Sequence, residues 1–158
     1  MIRYDVADAV ATITLDRPDA MNSLTAETKD ALLDALRRAA GDPQVRAVLL
    51  TGSGRAFCAG QDLRQHADNL EAGRGLANTV REQYNPIVEL ITTMAKPVVA
   101  AVNGVAAGAG ASLAFACDLR IVSEKAKFAL AFAGIGLART RARRGRCNAW
   151  SAGAAPPS

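Results

Sequence analysis

The sequence predicts an α/β fold, and three observations predict it. Short apolar runs of strand length alternate with longer helical stretches, in the order β-β-α-β-α-β-α-β. The first two runs alternate residue by residue, which is the pattern of a paired hairpin. Two glycine-dense turns, one at Gly60 and one spanning Gly108 to Gly110, each follow an apolar run that reads as a strand. Alternation of this kind suggests a parallel sheet covered by helices.

Ile2 to Asp5 and Val10 to Leu15 form the hairpin, turning at Val6-Ala7-Asp8. Asp16-Arg17-Pro18-Asp19 closes it, because proline has no N–H for a ladder and aspartate favours turns. Thr25 is placed to cap a helix running to about Ala40, with Leu32, Leu33 and Leu36 as its apolar face. Glu27 lies near the positive end of that helix, and Gly41-Asp42-Pro43 stops it. Val45 to Thr51 reads as a buried strand, followed by the turn Gly52-Ser53-Gly54. The polar stretch from Arg64 to Asn85 fits equally a helix broken around Gly73 and Gly75 and a mobile surface segment. Pro86 to Met94 is an amphipathic helix, and Lys96-Pro97 opens a strand that continues through Val102. Gly108 to Ala116 reads as a buried helix of small residues, Leu119 to Val122 as a strand, and Phe128 to Phe132 as the start of a further element.

The 158 residues suit one domain with a sizeable core, and an apolar half with 22% charged residues excludes a disordered chain. The net charge of +4 is unevenly placed, since Arg139, Arg141, Arg143, Arg144 and Arg146 all follow Leu137. Removing those five from 19 basic residues leaves 14 against 15 acidic ones, so the body is close to neutral. That argues against a nucleic-acid partner for the body. Cys58, Cys117 and Cys147 are odd in number and widely spaced, and there is one histidine. They read as reduced thiols of a cytoplasmic protein, with no metal site. No signal peptide is expected, because the N-terminus lacks a basic region followed by an apolar core, and no membrane span, because the most apolar window, Pro97 to Cys117, is dominated by Gly and Ala.

The run Ala56-Phe57-Cys58-Ala59-Gly60-Gln61-Asp62-Leu63 and the later run Asn103-Gly104-Val105-Ala106-Ala107-Gly108-Ala109-Gly110 carry the chemistry. Two turns of this kind can aim backbone N–H groups at one point, as the carbonyl of a thioester needs when it becomes an enolate. In these segments and their flanks, from about Ile2 to Leu137, the chain resembles the crotonase superfamily, also called the enoyl-CoA hydratase/isomerase family. The resemblance implies a right-handed spiral of ββα units, here C-terminally truncated. It implies that the N–H groups of Gln61 and Ala109 form an oxyanion hole. It places Ala59, Gly60, Gln61, Asp62 and Leu63 at the adenine end of coenzyme A, and Asp19, Ala20 and Met21 beside the pantetheine. Coenzyme A would enter as part of an acyl-CoA thioester substrate, with no covalently bound cofactor. Family members form trimers or hexamers.

Hydratases of the family carry two glutamates at positions that match Ser112 and Phe132. Neither residue moves a proton across a double bond, so hydration is disfavoured. The runs Val105 to Ala114 and Lys127 to Phe132 are more similar to the branch of phenylacetate-pathway isomerases that act on ring-epoxidised phenylacetyl-CoA. That branch has an aspartate near the positions read here as Arg139 and Thr140, and no acid follows Glu124. The expected function is therefore an isomerase-like acyl-CoA enzyme. A hydratase or thioesterase of the same fold, and an inactive acyl-CoA-binding fragment, remain as alternatives. Residues 1–137 are expected to form the core. Residues 138–158 contain no Leu, Ile, Val, Phe or Met and read as a non-native or disordered tail of the sort a shifted frame produces. Asp118 is expected to cap the preceding helix or pin the next strand, His66 to be solvated, and Cys58 to be a buried small hydrophobe.

Overall fold

A computed structural model describes residues 1–65, 67 and 79–130. Strands β1 (Ile2–Ala7) and β2 (Val10–Leu15) pair antiparallel, with Ala7 opposite Val10. The turn is thus Asp8-Ala9, at φ 50° and 62°, the double left-handed conformation that lets a two-residue loop follow the strands' twist. The first strand runs two residues beyond the predicted Asp5, because Val6 and Ala7 still find partners in Ala11 and Val10.

Helix α1 (Ala26–Gly41) begins as predicted, with the Thr25 hydroxyl accepting from Thr28 N–H at 3.2 Å. Its buried stripe is Lys29, Leu32, Leu36 and Ala39, at helical spacing, with Ala35 and Thr28 beside it. Leu33, expected on that face, is only half-buried. Spacing, not side-chain type, decides which residues face inward.

The remaining elements are β3 (Ala47–Gly52), β4 (Ala56–Cys58), α2 (Asn85–Thr93), β5 (Val98–Val102), β6 (Val105–Ala107), α3 (Ala109–Ala116), β7 (Leu119–Val122) and β8 (Phe128–Ala129). A π-helical turn, Val80–Tyr84, leads directly into α2. Two sheets result, ordered β1-β2-β3-β5-β7 and β4-β6-β8. From β3 onward every pairing is parallel, and each circuit gives one strand to each sheet before the next begins. This is the expected ββα spiral. The short strands β4 and β6, read from sequence as parts of glycine turns, are what makes it a spiral instead of a single covered sheet. Three residues are too few to display a period.

The core lies between the sheets and α1, α2 and α3, and includes Ile13, Leu15, Leu32, Leu50, Phe57, Ile87 and Leu113. Asp118 pins β5, which lies earlier in the chain, instead of the next strand: its carboxylate accepts from Val98 N–H at 2.9 Å, and its own N–H donates back to Val98 O. The expected break at Gly73 and Gly75, the solvated His66, the boundary at Leu137 and the tail from 138 to 158 lie outside the described residues, as do Phe132 and Cys147.

Candidate active site

Strands β4 and β6 run side by side and parallel, so the turns that leave them emerge together. Gly60, the turn residue after β4, has φ +93°, where an L side chain is strained. A Cβ there would lie 2.8 Å from Ala107 O and 3.1 Å from Ala109 N. Gly60 therefore packs on the entry to α3, and its missing side chain is needed by the protein's own second turn.

Helix α3 starts at Ala109 behind the N-cap Gly108, so the Ala109 N–H belongs to the first turn, where no intrahelical acceptor exists. Gln61 bridges to Leu24, but that bridge uses Leu24 N–H to Gly60 O at 2.7 Å and Asp62 N–H to Leu24 O at 3.1 Å. Among the described residues, neither the Gln61 nor the Ala109 backbone N–H donates a hydrogen bond. Gly110 brings the two elements this close: a Cβ on it would collide with Cys58 O of β4.

The loop before α1 is fastened to the same turn. Ala59 N–H donates to Met21 O at 2.9 Å, and Asp19 and Ala20 form the short 3-10 turn just before Met21. Arg17 and the Ser23 hydroxyl both donate to Asp62 Oδ2, at 3.2 and 2.9 Å, while Asp62 Oδ1 accepts from the N–H groups of Arg64 and Gln65. Burial works against ionisation of Asp62, but the hydrogen bonds from Ser23, Gln65 N–H and Arg17 outweigh it and hold its carboxyl below the ordinary value. Asp62 is thus an ionised fastener whose acceptor sites are taken. Leu63 stands exposed beside it.

Sequence reasoning missed two residues here. Lys29 is 1% exposed, and its Nζ donates to the Gln61 side-chain oxygen at 3.1 Å. Tyr84 donates its hydroxyl to the same oxygen at 2.7 Å, and the Lys29 Nζ sits 4.8 Å from the Tyr84 ring centroid. Burial lowers the Lys29 pKa to about 8. Burial, with a smaller contribution from Cys58, raises that of Tyr84. A signal for Lys29 did exist, since it stands three residues before Leu32 and seven before Leu36, on the buried stripe.

The other candidates have structural places. Ser112 is buried and donates its hydroxyl to Gly108 O at 3.3 Å. Burial pushes the Cys58 thiol up to about 12, so it stays protonated, as expected of a small hydrophobe. Among the described residues there is no cluster of three metal-ligating side chains, and no helix is long and apolar enough to cross a membrane.

The pattern of the enoyl-CoA hydratase/isomerase family matches residues 5–144. The chain belongs to that family. Among its relatives, the "Probable enoyl-CoA hydratase" of Rhodobacter capsulatus is 50% identical over 86% of this chain and 51% of its own length. The 1,2-epoxyphenylacetyl-CoA isomerase of Escherichia coli is 44% identical over 84% of this chain and 51% of its own. A solved Mycobacterium abscessus protein named for the enoyl-CoA hydratase/isomerases superposes with a TM-score of 0.88 at 45% identity, covering 94% of this chain and 58% of that one. The chain spans about half the length of the curated relatives it matches. Membership of the enoyl-CoA hydratase/isomerase family agrees with the ββα circuit of the two sheets.

Proposed function

We propose that this chain binds a coenzyme A thioester and polarises its carbonyl between the N–H groups of Gln61 and Ala109, as part of an isomerase-like enzyme. The observation that carries the reading is the packing of Gly60 on Ala109 N, with both N–H groups lacking an acceptor among the described residues. Donors held in this way need no reorganisation when negative charge develops on the thioester oxygen, and each contributes about 2.7–4 kcal/mol. Enolisation shifts a proton from the α-carbon, and a double-bond shift returns it elsewhere; the backbone donors stabilise the intermediate anion between those steps. Asp62 is occupied as a fastener and does not supply the proton shuttle. The coenzyme would run past Ala59 to Leu63, with Asp19, Ala20 and Met21 along the pantetheine.

Ala109→Pro tests the reading directly. Proline is tolerated at the first helical position, and it removes the donor while setting its ring Cδ where the N–H pointed. Binding of acetoacetyl-CoA, followed through the near-ultraviolet band of its enolate, should weaken by about 10²–10³-fold. Unchanged enolate binding in the folded variant would remove Ala109 from the site.

Hydration is the second reading, favoured by the name of the Rhodobacter capsulatus relative. Against it, Ser112 stands where the resemblance puts a hydratase glutamate, and its hydroxyl is turned to Gly108 O. The chain is therefore expected to hydrate crotonyl-CoA poorly or not at all, and turnover at ordinary hydratase rates would restore that reading.

A further inference from the structure

We propose that Lys29 and Tyr84 are positioning residues for the Gln61 donor: together they clamp the Gln61 side-chain amide and so set the direction of its backbone N–H. The inference rests on the reading of that N–H as an oxyanion donor. The Gln61 side-chain oxygen accepts from two donors at once, Lys29 Nζ at 3.1 Å and Tyr84 hydroxyl at 2.7 Å. The donors arrive from separate elements, α1 and the π-helical turn that ends at Tyr84. They also brace one another, because the ammonium lies on the Tyr84 ring face. The amide nitrogen of Gln61 then points away, 3.4 Å from Asp62 O.

Gln61 bears the amide and the donor N–H on one Cα, so fixing the first limits rotation of the second. On its other side the turn is held through the neighbours of Gln61, by the Leu24 bridge, by Ala59 N–H to Met21 O and by the Asp62 carboxylate. Packing alone does not call for an amine at Lys29. An apolar side chain of equal length would fill the space without desolvating a charge. The amine has a use only if its hydrogen bond does.

The test compares a ligand that enolises with one that does not. Acetoacetyl-CoA and butyryl-CoA are titrated into the full chain and into Lys29→Met, Tyr84→Phe, Gln61→Met and the double variants with Gln61→Met. Lys29→Met and Tyr84→Phe should each lower the bound enolate fraction by up to about tenfold, the scale of one hydrogen bond to a charged or buried partner. Butyryl-CoA affinity should change little. In the Gln61→Met background both effects should vanish, since the clamped amide is gone. Equal losses for the two ligands would show a merely structural role and overturn the proposal, as would effects that persist without the amide. If Lys29→Met does not fold, Tyr84→Phe decides alone, because it deletes one oxygen. A wild-type chain that binds butyryl-CoA but shows no enolate band would instead overturn the oxyanion reading and the clamp with it.

Discussion

Lys29 carries a consequence for stability as well as for positioning. Its folded pKa of about 8 lies below its ordinary 10.5. Between those values the unfolded chain holds a proton that the folded chain has released. Stability should therefore rise with pH across that window, by up to ~3 kcal/mol, and below pH 8 the buried charge costs its full amount. Lys29→Met should abolish that rise and melt higher than the wild type at pH 7, with thermal melts across pH as the measurement. A side chain retained at such a cost is one whose chemistry is used. Asp62 behaves in the opposite sense. Its depressed pKa means that the stability it contributes is present above about 3.8 and is lost as pH falls through the folded value. Asp62→Asn should cost about 1–2 kcal/mol at neutral pH, with the gap to wild type closing in acid unfolding curves. Both carbonyls of the fastening loop should survive that change, because Met21 O and Leu24 O are held by backbone N–H groups.

Among the elements, α3 and β4 are the pair on which the site depends. Gly110 lets them touch, and Gly110→Ala would drive a methyl into Cys58 O, backbone that cannot give way. We expect it to destabilise the chain by at least ~2 kcal/mol in urea titrations. Gly41→Ala provides the contrast, since nothing lies within 4 Å of a Cβ at the end of α1, and it should stabilise by about 0.4–1 kcal/mol. The turn between β3 and β4 is held by two amides: Asn22 donates to Ser53 O and Ala56 O, and Asn103 donates to Gly54 O and Ala56 O. Those asparagines carry no periodicity, so the sequence alone does not show them holding this turn. The helices were legible because caps and stops such as Thr25 and Gly41-Asp42-Pro43 are local devices. Strands β4 and β6 were hidden because their partners lie some fifty residues away in the chain.

At the scale of the whole molecule, the described spiral ends in two strands, β7 and β8, each at the edge of its sheet. Leu119, Ile121, Val122, Phe128 and Leu130 are exposed there, with Ile121 at 66%. Edges with no further strand among the described residues, where they also carry large apolar side chains, are templates for association. The purified chain should accordingly self-associate in a concentration-dependent way by sedimentation, and Ile121→Lys should reduce this without altering the fold. Sedimentation of the wild-type chain as a monomer at all concentrations would show that the edge is covered.

What the sequence determined by itself was the helices and the longer strands, the hairpin, the cap of helix α1 and the two glycine turns at Gly60 and Gly108 to Gly110. Each of these is written in local chemistry: alternation, capping side chains, proline, glycine. The family was legible for the same reason, through ordered runs such as Ala56 to Leu63. Only the tertiary structure decided that the two turns meet, because β4 and β6 pair across a long separation that no local pattern records. It also decided that Gly60 is small for the sake of Ala109, and that Asp62 fastens a loop. Above all it decided that Lys29, a charge by type, is buried by position. A helix buries whatever its period places inward, and whether that residue acts depends on what the rest of the chain brings against it.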